Sequence, residues 1–124
     1  MIRRAAHVAV LAIALQSTGI AAAQQETESA QGAVLRGLDK FSGQVVDIQM
    51  QAGRTVRFAR LSITLTECRY PSGNPSSNAY AGLQITEAGK DGVVFSGWMI
   101  ASAPALNAME HPRYDVWVMR CTTS

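Results

Sequence analysis

The chain has 124 residues, 48% of them hydrophobic, and a formal net charge of +2 that comes wholly from Arg3 and Arg4. From Gln24 onward nine Lys/Arg face nine Asp/Glu, which removes the broad basic field expected of a protein that binds nucleic acid or anionic membrane through its overall charge. About a hundred residues remain beyond that point, one domain on size grounds and small enough to gain from a covalent staple.

Arg3 and Arg4, an apolar run over residues 5–15 and the small residues Ala21, Ala22 and Ala23 follow the order of a secretory signal peptide. The expected leader is residues 1–23, cut after Ala23. Gln16, Ser17, Thr18 and Gly19 interrupt the apolar run short of the roughly 20 residues a bilayer needs, so no stable membrane span is expected after cleavage. An exported chain folds in an oxidising compartment, where its two cysteines, Cys68 and Cys121, are expected to pair as a disulfide.

Residues 24–32 are polar, acidic and without periodicity, and read as a flexible tether. Order is expected from Ala33, with 33–124 as a single β-domain. Residues 33–39 form a short strand followed by a turn through Gly43. The next segment alternates, with Val46, Ile48 and Met50 on one face and Val45, Asp47, Gln49 and Gln51 on the other, the pattern of an antiparallel strand. Ala52-Gly53 has the length of a hairpin loop. A long strand from Arg54 changes its apolar phase between Phe58 and Leu61, which predicts a bulge or bend at Ala59-Arg60. Residues 71–78 are a loop. Ala79, Ala81, Leu83 and Ile85 then point inward on a strand that turns at residues 88–92 into Val93, Val94 and Phe95.

The last third carries the densest chemistry. Ser102 and Pro104 suit the start of a short helical turn near residues 103–109, ending before Pro112. Residues 114–121 form the final strand, with Trp117, Met119 and Cys121 expected to face the core. The architecture implied is all-β: a small barrel or sandwich of about six antiparallel strands with one helical turn.

The stretches at residues 35–40 (LRGLDK), 68–70 (CRY), 95–99 (FSGWM) and 101–118 (ASAPALNAMEHPRYDVWV) resemble a family of small exported proteins of Gram-negative, mainly alphaproteobacterial, origin known as DUF2155. The resemblance covers nearly all of the chain after the leader; Ala103 and Met109 depart from it. It implies the periplasm as location and names no activity. It also brings one partner expectation, an accessory place in a phospholipid-transport assembly of the Mla type.

No reactive constellation of specific spacing emerges. Ser96 or Ser102 with His111 and Asp115 supplies the residue types of a hydrolase triad, but no nucleophile elbow is present. Cys68, Cys121, Glu110 and His111 supply zinc-ligand types in a spacing that matches no zinc motif, and Asp39 with Glu110 would be the carboxylate pair of a glycosidase. No cofactor and no metal are expected. The expectation is therefore a non-catalytic periplasmic protein that binds or scaffolds an envelope component, protein or lipid, through the turn at 98–115. Its candidate interaction surface is Trp98, Ser102, Asn107, Glu110, His111, Arg113, Tyr114 and Asp115. The alternatives are a small envelope hydrolase or metal-dependent enzyme using His111, and the transport accessory.

Overall fold

The computed structural model describes residues 25–123, with 9 and 11–14 of the N-terminal segment. The expected leader otherwise lies outside the described residues, and so does its cleavage point. Eight strands follow one another: β1 Thr27–Ser29, β2 Gly32–Asp39, β3 Val45–Gln51, β4 Thr55–Phe58, β5 Leu61–Pro71, β6 Tyr80–Glu87, β7 Phe95–Ile100 and β8 Tyr114–Thr122. All pairings are antiparallel.

One sheet runs β1-β5-β6-β7, with β4 pairing the first half of β5; the other is β3-β2-β8. The chain is thus all-β, as its alternation implies, and two packed sheets make it a sandwich. The core between the sheets includes Leu35, Ile63, Leu65, Leu83, Ile85, Tyr114 and Val118, all at most 2% exposed. Removing such side chains from water is the main stabilising term for a domain of this size. Among the described residues no helix is long and apolar enough to cross a membrane.

Four expectations about the strands and their connections need correction. Thr27–Ser29, placed in the tether, pair with Arg69–Pro71 on β5. Arg69 explains this: its guanidinium donates to Thr27 Oγ1 (2.7 Å), the Thr27 carbonyl (2.9 Å) and Ser29 Oγ (2.8 Å), clasping a strand too short to announce itself by alternation. Ala52-Gly53 is not a hairpin loop but the link between the sheets, since β3 pairs β2 while β4 pairs β5. The hairpin lies instead at Ala59-Arg60, where Phe58 opposes Leu61 and Ala59 takes a left-handed φ of 50°. Such turns usually announce themselves by Gly or Asn, and Ala-Arg carries no such signal.

The fourth correction concerns β8. Tyr114, Val116 and Val118 face the core, while Trp117 and Met119 are half-buried on the outer face. Leu35 pairs Val118 but Val34 pairs Arg120, so Met119 is bulged and Cys121 turns inward beyond it. A parity counted back from Cys121 therefore fails upstream of the bulge. β5 does the same: Leu65 pairs Leu83 and Glu67 pairs Gly82, leaving Thr66 bulged and Cys68 inward. Each cysteine is re-aimed by a one-residue bulge two positions before it. The two then join as a disulfide across the sandwich, with Cα atoms 5.8 Å apart.

The topology gathers the turns at two ends. One end holds the β2–β3 turn, the β4–β5 hairpin, the β6–β7 turn and the entry to β8. Phe58 closes this end from within, packing edge-to-face on Tyr114 at 5.8 Å and lying against Gly37, where a Cβ would come within 2.9 Å of its ring.

Candidate functional site

Residues 101–113 join the edge strand of one sheet, β7, to the edge strand of the other, β8. The expected helical turn is absent: the segment consists of hydrogen-bonded turns, Ala103 N–H to the Ile100 carbonyl (3.2 Å) and Leu106 N–H to the Ala103 carbonyl (3.1 Å). Ser102 does not cap a helix because Asn78 engages it on both sides. Asn78 Nδ2 donates to Ser102 Oγ at 2.9 Å, and Ser102 N–H donates to Asn78 Oδ1 at 3.1 Å.

The middle of the loop is tied to the edge of β7. Asn107 Nδ2 donates to the Trp98 carbonyl at 2.8 Å. Gly97 makes room for it: its φ is 155°, and a Cβ there would lie 2.9 Å from Asn107 Nδ2. Met109, 5% exposed, anchors the loop in the core.

The far end is held by His111, whose side chain is only 7% exposed. Its Nδ1 accepts the backbone N–H groups of Arg113 (2.9 Å) and Tyr114 (3.0 Å), so the ring proton sits on Nε2 and is donated to Glu87 Oε2 at 3.1 Å. The hydrogen bond from His111, with help from Lys90, lowers the Glu87 pKa against the opposing effect of burial. Lys40 Nζ donates to the His111 carbonyl at 2.8 Å. Arg113 makes a two-point contact with Asp39, at 3.2 Å from Nε and 3.0 Å from Nη2. That contact holds the Asp39 carboxyl at about 2, helped by the N–H groups of Phe41 and Ser42. The Arg113 guanidinium also lies over the rings of Phe41 and Tyr114, at 5.2 and 5.3 Å.

The eight residues of the expected surface thus divide. Tyr114 is core, and His111, Arg113, Asn107 and Ser102 are engaged in the clasps described. Trp98, 44% exposed, and Glu110 face solvent, and Asp115 is half-buried. Asp115 lines a groove of about 360 Å³ with Pro104, Ala105, Ala108, Val116 and Trp117. Leu106, at the loop's apex, is 75% exposed.

The structure does not assemble the reactive sets weighed from sequence. His111 takes Glu87 rather than Asp115, and no hydrogen bond joins it to Ser96 or Ser102. Cys68 and Cys121 are bonded to one another, and among the described residues no three His, Cys, Asp or Glu side chains gather as metal ligands. Asp39 pairs with Arg113, not with Glu110.

Sequence reasoning missed Glu87, Asn78 and Lys40. Glu87 had a signal: it continues the inward parity of Ala81, Leu83 and Ile85, and an inward carboxylate requires a donor. Asn78 and Lys40 had none, since their partners lie 24 and 71 residues away.

Fold and site together define a small, disulfide-bridged β-sandwich with one flank formed by a clasped, irregular loop. The chain belongs to the family described as uncharacterized protein conserved in bacteria (DUF2155), whose model matches residues 33–121. It is also similar to "Uncharacterized protein RP359" of Rickettsia prowazekii (strain Madrid E), 29% identical over 87 residues, 68% of this chain and 56% of that protein. The chain therefore spans little more than half the length of that curated relative. No solved structure matches it.

Proposed function

We propose that this is a non-catalytic periplasmic protein that binds an envelope component through the flank formed by Trp98 and the loop at 101–113. One observation carries the reading. A loop without regular structure is fixed by the Ser102, Asn107 and His111 clasps and by Met109, yet it presents Leu106 and Trp98 to water. Ordering such a segment costs roughly 1–2 kcal/mol per residue. Fixing it while leaving Leu106 at its apex, and Trp98 on the adjoining strand, open to water is what a preorganised recognition surface does. The adjoining groove beneath Pro104, Ala105 and Ala108 adds concave apolar surface.

The commitment of both His111 nitrogens supports a structural rather than a proton-transferring role for that residue. The envelope location rests on the expected leader and the paired cysteines.

A photo-crosslinking side chain placed at Leu106 in the native organism tests the proposal. The expected result is one discrete periplasmic adduct that disappears in Trp98→Ser, a variant that leaves the core intact. Absence of any adduct, with the protein found in the cytoplasm and its leader uncut, would refute it.

A further inference from the structure

A second surface, distinct from the 98–115 flank, lies at the end of the sandwich where the β2–β3 turn, the β4–β5 hairpin and the β6–β7 turn come together. Three large apolar side chains stand out from it: Phe41 at 73% exposure, Val93 at 60% and Val45 at 53%. Cross-contacts tie the turns into one unit. Arg113 lies over Phe41, His111 bonds Glu87 beside the β6–β7 turn, and Arg60 donates to the Ala88 carbonyl at 2.8 Å.

The charges around these tips are uneven. The two buried carboxylates, Asp39 and Glu87, are neutralised by Arg113 and Lys90. Lys40, Arg57 and Arg60 are exposed and in no ion pair among the described residues, and Lys90 is 63% exposed. Of the carboxylates near these turns, Asp91 and Glu110 face solvent without an ion pair among the described residues, and Asp47, exposed on β3, is paired with Arg36.

We infer that this end docks on an anionic phospholipid surface. Phe41, Val45 and Val93 would enter the boundary between headgroups and acyl chains, with the unpaired Lys40, Arg57 and Arg60 at the phosphates. Charge and placement favour a bilayer: Phe41 and Val45 stand where β2 passes into β3, Val93 stands on the β6–β7 turn, and all three are exposed beside the unpaired cations Lys40, Arg57 and Arg60. Apolar tips ringed by basic residues are what interfacial insertion needs. The even balance of charge beyond the leader excludes a long-range field, so the attraction is local and is lost in salt within a short screening length.

The test is flotation of the chain beginning at Gln24, which carries the whole sandwich but not the apolar leader. The vesicles are phosphatidylglycerol with phosphatidylethanolamine, or phosphatidylcholine alone. Binding is expected on the first and at least about tenfold weaker on the second. Phe41→Ser and Val93→Ser should each weaken it about tenfold, as loss of a buried apolar side chain does. Arg57→Glu should do the same by reversing one charge at the surface. Val93 has no polar side-chain group and Arg57 makes no side-chain hydrogen bond or ion pair among the described residues, so their variants answer the question if Phe41→Ser disturbs Arg113. Trp98→Ser should leave vesicle binding unchanged, which separates this surface from the flank proposed above. Failure to bind either vesicle, equal binding to both, or binding that survives Val93→Ser together with Arg57→Glu would overturn the inference.

Discussion

His111 is the residue on which a structural and a catalytic account of this protein diverge most sharply, and His111→Ala separates them. In the folded chain its Nδ1 accepts two backbone N–H groups and its ring lies 5.1 Å from that of Tyr114. Leaving two N–H groups unsatisfied costs about 1 kcal/mol each, and the lost ring contact about 1 more. Removal of the donor to Glu87 adds to the loss. His111→Ala should therefore destabilise by about 3 kcal/mol in urea unfolding with the disulfide intact, a large part of the stability of a small domain. Two further variants divide the effect. Asn places an acceptor where Nδ1 was, in the geometry of an Asx turn, and should recover more than half of the loss. Gln places a donor where Nε2 was and should recover less. If His111→Ala unfolds within about 0.5 kcal/mol of the wild type, or if Gln restores more than Asn, the clasp does not hold the loop and the reasoning fails.

The other predictions follow from the same contacts. Cys68→Ala with Cys121→Ala removes a cross-link spanning 53 residues. On the chain-entropy account it should cost about 4 kcal/mol in denaturant unfolding. Gly97→Ala adds a Cβ at 2.9 Å from Asn107 Nδ2 on a backbone with φ of 155°. It should destabilise by roughly 2 kcal/mol and speed amide exchange over residues 101–110 before the strands are affected. Asp39 has its folded pKa depressed to about 2 from 3.8, first by the Arg113 hydrogen bonds. Its contribution is present above the unfolded value and lost as pH falls through the folded one, so the stability difference between wild type and Asp39→Asn should shrink between pH 3.8 and about 2. A difference that grows toward acid would contradict the assigned pair.

The candidate site was less legible than the fold. Segment 98–115 stood out by its mixture of Trp, His, Pro and charged residues, and the functional surface proposed here lies within it. Which of those residues display themselves and which hold the loop was hidden, because the deciding partners are remote. Asp39 lies 74 residues from Arg113, and Glu87 lies 24 from His111. Composition alone makes Glu110, His111 and Asp115 look like one cluster, although His111 turns inward, Glu110 outward and Asp115 toward a separate groove.

Alternation along β3 and β6 determined by itself that the chain is an antiparallel all-β domain with one wet face on each of those two strands. That is a property of a strand's own period, in which neighbouring side chains alternate between two environments whatever the partner. The cysteine count and the expected leader likewise pointed to the disulfide without any knowledge of the fold. Only the tertiary structure decided the rest: the strand taken from the expected tether, the hairpin at Ala59-Arg60 and the bulges at Thr66 and Met119. Each exists through a partner elsewhere in the chain. Arg69 holds β1, and the registers of β6 on β5 and of β2 on β8 leave one residue over in each bulged strand. A bulge reverses the faces of every residue beyond it, so inward and outward on β5 and β8 become readable only once the neighbouring strand is in place.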